Sequence, residues 1–151
     1  MTPSLNLRRA TETDAAAISR LADMAYAPWI QVIGSTPQPM CADYRQLIRD
    51  DEVWYTGTRA NPAGSLVLRH ETDHLLLWSI AVSPASKGKN LGNRLLDFTL
   101  RRAKDLRFST VQLFTNPKMV RNRAWYSRKG FRERETLFIG DKHVVMMSRP
   151  V

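Results

Sequence analysis

Between Ser83 and Phe98 the chain reads SPASKGKNLGNRLLDF, with Gly88 and Gly92 bracketing Lys89, Asn90 and Leu91 directly ahead of leucines at helical spacing. Glycine enters the positive-φ region freely and asparagine is the next most tolerant residue there, so this turn can aim several backbone N–H groups at one point. A helix N-terminus adds roughly half a positive charge, and Lys87 and Lys89 add mobile charge beside it. The chemistry on offer is the holding of a pyrophosphate. A solvated polar connection is the competing account of the same residues.

Three other patterns invite chemistry and fail. HETDH, His70 to His74, matches the zinc-protease pattern, which needs both histidines on one helical face. Here it joins SLVLR to LLLWSIAV, so a hairpin turn is expected and no metal site. RKGFRER begins like an RNA-binding signature but breaks after Phe131, where Arg132, Glu133 and Arg134 stand in place of small and aromatic residues. GKNLG lacks the Lys-Ser/Thr pair of an ATPase phosphate loop.

The elements that position the glycine loop are legible from periodicity. Leu5 to Ala10 reads as a strand, and Thr11 with Asp14 as a capping-box variant opening a helix that carries Ile18, Leu21, Ala22 and Ala25. YAPWIQVIGSTPQPM, with its three prolines, reads as a loop, and Ala42 to Asp50 as a second helix. VWYTGTR, GSLVLRH and HLLLWSIAV read as three strands with turns at ANPAG and ETD. A long helix is predicted over Gly92 to Arg107, its apolar side Leu91, Leu95, Leu96, Leu100, Ala103 and Leu106. TVQLFT is a strand. NPKMVRNRAWYSRKG is a helix with Asn116 as N-cap, Pro117 at the first position and Gly130 past its end. FRERETLF and HVVMMSR form a closing hairpin around IGDK. The order is β-α-α-β-β-β-α-β-α-β-β in a single domain over residues 1–151.

Composition narrows the function. A chain of 151 residues that is 43% hydrophobic and 25% charged has enough core to fold without staples. Its one cysteine, Cys41, excludes an internal disulfide and fits a reducing compartment. With no apolar segment of signal-peptide or membrane-spanning length, a cytoplasmic protein with no membrane partner is expected. The net charge of +9 looks like a nucleic-acid signature, but the excess is local. Lys87 to Arg134 holds 14 Lys/Arg against 3 Asp/Glu, whereas the remainder is slightly acidic. A local positive field attracts any anion, a phosphate-bearing cofactor included.

SIAVSPASKGKNLGNRLLDF resembles the acyl-coenzyme A motif of the GNAT-type N-acetyltransferases, a strand ending in A-V-x-P, then Q/R-x-x-G-x-G/A, then a helix. Lys87 stands at the Gln/Arg position, Asn90 at the first Gly and Gly92 at the second. TNPKMVRNRAWYSRKGF is similar to the family's second signature in the variant T-N-x-x-M-x-x-N-x-x-x-Y-x-x-x-G-F/Y, with every fixed position present from Thr115 to Phe131. IGSTPQPMCADY is similar to a segment of one bacterial subgroup. The resemblance implies an α/β fold of the α+β type, a central mixed, mostly antiparallel twisted sheet of about seven strands with about four helices. It also implies acetyl-coenzyme A as acetyl donor and the amine of a small molecule or peptide as acceptor. A homodimer is compatible with it, and a nucleic-acid partner is disfavoured.

By the same resemblance, Lys87, Gly88, Lys89, Asn90, Leu91, Gly92 and Asn93 wrap the pyrophosphate; Asn90 departs from the family's glycine, and its tolerance of positive φ predicts a left-handed conformation there. The strand end from Ser79, with Ile80, Ala81 and Val82, bonds the pantetheine arm and offers an N–H to the thioester oxygen. Asn116 and Asn122 join the cofactor site, and Tyr126 protonates the departing thiolate. The loop between the first two helices walls the acceptor site, nominating Tyr26, Trp29, Met40 and Tyr44, with Trp78 from the strand; aromatic walls suit an apolar or cationic acceptor, while taken one by one the loop residues fit better as core and staple residues. The base is missing, since Trp78 and Ser79 occupy positions where relatives carry a carboxylate, and His74, Glu71 and Asp73 belong at the far end of the strand. A coenzyme A-binding module without catalysis and a basic nucleic-acid-binding protein are the alternatives.

Overall fold

The computed structural model describes residues 5–151. Seven strands form one sheet in the order β1-β2-β3-β4-β5-β7-β6, from β1 (Arg8–Arg9), β2 (Glu52–Gly57), β3 (Pro62–His70), β4 (Leu75–Val82), β5 (Thr110–Thr115), β6 (Arg132–Ile139) and β7 (Lys142–Pro150). Every pairing is antiparallel except β4 with β5. The helices are α1 (Ala15–Tyr26), α2 (Trp29–Ile33), α3 (Tyr44–Asp50), α4 (Leu91–Asp105) and α5 (Val120–Arg128).

Strand alternation sorts the core into two layers. Val53, Tyr55 and Val67 face α1 and α3, where Ala15, Ile18, Ala22 and Tyr44 meet them. Their neighbours Leu66 and Leu68, with Leu113, Val145 and Met147, face the other way onto Leu95, Leu96 and Ala103 of α4. The period of two in the strands and 3.6 in the helices accounts for both layers.

Several expectations shift. The segment with three prolines is not all loop: α2 occupies Trp29–Ile33, closed by Gly34 at φ 76°, and a 3₁₀ turn follows over Gln38–Met40. Only Arg8 and Arg9 of the first strand pair. Asn116 does not cap α5. Its carboxamide oxygen accepts from Lys118 N–H at 2.9 Å and its carbonyl from Met119 N–H at 2.9 Å, making a separate turn before a helix that starts at Val120. HETDH is a hairpin turn in which Glu71 N–H bonds the His74 carbonyl; His70 pairs with Glu52 and His74 with Asp73.

At the edge of the α4 layer, Glu52 is buried and receives both ends of the Arg102 guanidinium at 2.9 Å. Burial alone would raise its carboxyl. Hydrogen bonds from Arg102, then Trp54 and His70, with the charge of Arg102, override that and hold it at about 2.

Candidate functional site

β4 and β5 pair at Leu75–Val111, Leu76–Gln112 and Leu77–Leu113 and nowhere beyond. From there both strands run on without a shared ladder, leaving a gap in the middle of the sheet. A bulge on β4 shapes one wall: Val67 opposes Ser79 while Leu68 opposes Leu77, so Trp78 is the extra residue. Bulges bend a strand and shift its facing parity. Leu75 and Leu77 face α4 before the bulge and Ile80 and Val82 after it, while Trp78 packs toward α1. Beyond the strand, Ser83 N–H bonds the Ala63 carbonyl on the β3 side. Alternation then turns the polar groups of Ala81 toward β3 and those of Ile80 and Val82 toward the gap. Tyr26 confirms the direction for Ile80, donating its hydroxyl to that carbonyl at 2.8 Å.

The glycine loop closes one end of this gap. Gly88 lies at φ 82° and Asn90 at φ 64°, ψ 17°, both left-handed. Asn90 is thus a conformational stand-in for glycine. Its side chain accepts from the Asn93 amide, and the Asn93 oxygen accepts from Trp125 Nε1 at 2.8 Å, tying α5 to the start of α4. The first helical bond is Arg94 N–H to the Asn90 carbonyl at 3.2 Å. Ahead of it, the N–H groups of Leu91, Gly92 and Asn93 have no acceptor among the described residues, a concentration of donors suited to an anion.

On α5, Tyr126 is buried in the α4 layer against Trp125 and the edge of Phe131. Burial, and secondly Tyr26, push its phenol well above the ordinary value, so it stands protonated. Its hydroxyl has no hydrogen-bond partner among the described residues and keeps contact with the cavities beside it. The other fixed positions of the signature are largely architectural. Thr115 Oγ1 bonds Met119 Sδ at 3.8 Å, Gly130 turns at φ 90° under Arg149, and Phe131 is core.

Two cavities meet here. One, of about 720 Å³, runs past Lys87, Gly92, Trp125, Arg121 and Arg128. The other, of about 390 Å³, lies between the loop at Ser35 to Pro39, the unpaired ends of β4 and β5, and the tip of the β6–β7 hairpin. Tyr26, Ile80, Asn122 and Tyr126 line both. Among the described residues no Asp or Glu lines either cavity.

The placement of the expected residues is selective. Ile80, Val82, Lys87, Gly92, Asn122 and Tyr126 come together around the larger cavity. Ala81 and Leu91 turn their side chains into the core, and alternation commits the backbone of Ala81 to β3, so Ala81 drops out. Gly88, Lys89 and Asn90 form the exposed turn, while the Asn93 side chain is consumed by Asn90 and Trp125 and leaves only its N–H. Asn116 lines the smaller cavity, away from the glycine loop. Of the acceptor nominees, Tyr26 and Trp78 line that smaller cavity, but Trp29 lines the larger one. Met40 lines neither, and Tyr44 is a core residue whose hydroxyl bonds the Pro39 carbonyl at 2.7 Å.

Sequence reasoning missed Trp125, Arg121 and Arg128, whose only signal was their position on the face of α5 flanking Asn122. It also missed Lys142 and His143, which chain order places far from the glycine loop.

The larger cavity fits an acyl-coenzyme A. A Cβ built at Gly92 would meet Trp125 at 3.7 Å and Val82 at 4.0 Å, ordinary contacts, so protein packing does not demand glycine there. The missing side chain opens the helix N–H groups to the cavity, and Lys87, Arg121 and Arg128 supply cations for phosphates.

Comparison with known proteins bears on the fold and the family. No curated protein is significantly similar in sequence. Among solved structures, a PaiA N-acetyltransferase from Thermoplasma acidophilum in complex with coenzyme A superposes with TM-score 0.81 at 15% identity, covering 99% of this chain and 100% of that one. The ribosomal-protein-S18-alanine N-acetyltransferase of Escherichia coli gives 0.74 at 17%, covering 96% and 92%. A GNAT family acetyltransferase from Elizabethkingia anophelis with acetyl-CoA bound gives 0.68 at 14%, covering 99% and 100%. The profile of the acetyltransferase (GNAT) family matches residues 18–131, and with the parted strands, the open helix N-terminus and the second signature in place, the chain belongs to that family and is an acetyl-coenzyme A-dependent N-acetyltransferase.

Proposed function

We propose that the chain acetylates a primary amine of a small molecule or peptide by direct attack in a ternary complex, in a cytoplasmic setting that suits its exposed Cys41. The observation that carries this reading is the meeting of two cavities at Tyr26, Ile80, Asn122 and Tyr126. Gly92 and the N-terminus of α4 would hold the phosphates of the donor in the larger cavity, and the donor would supply an activated thioester. The acceptor enters from the smaller one.

Each chain group then has a task. The gap-facing N–H groups of Ile80 and Val82 are placed to receive the charge that develops on the carbonyl oxygen. Asn122, whose carboxamide is unpartnered among the described residues, can orient either ligand. As the nitrogen–carbon bond forms and the carbon–sulfur bond breaks, Tyr126 gives its proton to sulfur, and the proton shed by the amine goes to water. Ordinary pKa values, about 10 for a phenol and 8.5 for a thiol, make that transfer uphill by roughly 2 kcal/mol. Burial lifts the Tyr126 phenol further, so the transfer needs the leaving sulfur to be desolvated in the same pocket, which raises its basicity as well. With no carboxylate among the described lining residues, the amine arrives neutral or loses its proton through water, to a more distant carboxylate or to His143 on the cavity wall.

The same missing carboxylate favours a second reading, a module that binds acyl-coenzyme A without transfer. Thiol release with an amine panel separates the two. We expect acetyl transfer by the wild type and a fall in kcat of about 10² to 10⁴ in Tyr126→Phe, with acetyl-coenzyme A affinity changed by no more than about tenfold. Wild-type kcat in the Phe variant would make Tyr126 a packing residue. Tight binding without turnover of any amine would hand the site to the non-catalytic reading.

A further inference from the structure

The smaller cavity carries its own charge pattern. The tip of the β6–β7 hairpin contributes Lys142 and His143 to its wall. Lys142 has no carboxylate partner among the described residues. His143 is held flat against Phe138, with ring centroids 4.7 Å apart and planes 14° from parallel. Arg69 also lines the cavity, but its guanidinium is taken up by Asp51 in a two-point pair at 3.1 to 3.3 Å. The opposite wall is neutral and polar, at Ser35, Thr36 and Gln38. With no Asp or Glu among the described lining residues, a second ammonium on the acceptor would find no counter-charge, whereas an anion would find Lys142.

The ladder also places this lysine. Val145 pairs with Thr115, the last residue of β5, and Lys142 lies three residues farther along β7. At about 3.3 Å per residue that puts Lys142 roughly 10 Å beyond the end of β5, so the hairpin carries its charge past the last rung of the ladder. Trp78 and Tyr26 add apolar surface to the same cavity. Aromatic walls alone fit an apolar or cationic acceptor. The unpaired lysine decides against the cation.

Resting on the transferase reading above, we propose that the acceptor is an amine that also carries a carboxylate or phosphate, its anionic end held by Lys142 at the hairpin tip and its amine at the Ile80–Tyr126 junction. The test uses probes of matched length: 5-aminopentanoate, n-pentylamine and 1,5-diaminopentane, with 4-aminobutyl phosphate as the phosphate arm. Binding to coenzyme A-saturated protein is measured by calorimetry, then transfer by thiol release. The two anionic probes should bind at least about tenfold more tightly than the diamine, with the neutral amine between, and the better of the two identifies the anion.

Lys142→Gln should remove about tenfold of the anionic probes' affinity, raise their KM, and leave n-pentylamine unchanged. Lys142→Glu should reverse the ranking in favour of the diamine. Preference of the wild type for the diamine, or an equal loss for all probes in Lys142→Gln, overturns the acceptor assignment while leaving the transferase reading standing. The expected binding order without any transfer refutes the transferase reading and leaves the anion subsite standing.

Discussion

Replacing Gly92 by Ala should move folding and cofactor binding in opposite directions. Gly92 is the second residue of α4, and a Cβ there would touch only Trp125 and Val82 at 3.7 to 4.0 Å. No atom of the protein must move. Alanine is favoured over glycine inside a helix by up to about 1 kcal/mol, so the free protein should melt at the same temperature or up to about 4 °C higher. The new methyl group instead occupies the approach to the free N–H groups of residues 91–93. A hydrogen bond to a charged partner is worth about 1.5 to 3 kcal/mol, so spoiling one weakens coenzyme A binding roughly 10- to 150-fold. Calorimetry with coenzyme A reads this, and pantetheine, which lacks the diphosphate, is the control and should bind the variant as it binds the wild type. An unchanged coenzyme A affinity, or an equal loss for pantetheine, would refute the placing of the diphosphate at this helix.

Asn90→Val puts a β-branched residue at φ 64° and should cost about 1 to 2 kcal/mol with a loss of coenzyme A affinity near tenfold, while Asn90→Gly stays within about twofold; parity of Val with Asn in calorimetry would dismiss the conformational argument. Glu52 sits at about 2 when folded against 4.5 for an ordinary glutamate. Its folded value is depressed, so its stabilisation is complete above pH 4.5, is lost as pH falls toward 2, and amounts to about 1 to 3 kcal/mol once solvent screening is counted. Urea unfolding between pH 2 and 7 should show this slope in the wild type and a flatter one in Glu52→Gln; identical slopes would count against the network.

Most of the frame was legible because it obeys periodicity. The leucines of α4 and the alternation of β3 and β4 announce their faces, and Asn90 announced its conformation by standing between lysine and leucine at a glycine position. What chain order conceals is which elements meet. Nothing in HLLLWSIAV marks Trp78 as a bulge, because its effect appears only when Ser79 rather than Trp78 lies opposite Val67. Tyr44 looked like an acceptor contact because aromatic residues serve walls and cores alike; its burial and its bond to Pro39 decide for core. Lys142 was silent for a different reason. A lysine in a hairpin turn is ordinary until a cavity is found beside it.

The three-pair contact between β4 and β5 also has a mechanical meaning. It joins a four-strand half-sheet to a three-strand half-sheet through the shortest ladder between long strands among the described residues, and α4, which packs against β3, β4 and β5, is the girder across that seam. A ligand arm that bonds along the free edge of β4 lengthens the seam. Its effect on the protein is therefore one of cohesion as well as occupancy. Amide exchange at residues 78–82 should slow more than in the outer strands when coenzyme A binds, and the two half-sheets should unfold more nearly as one unit.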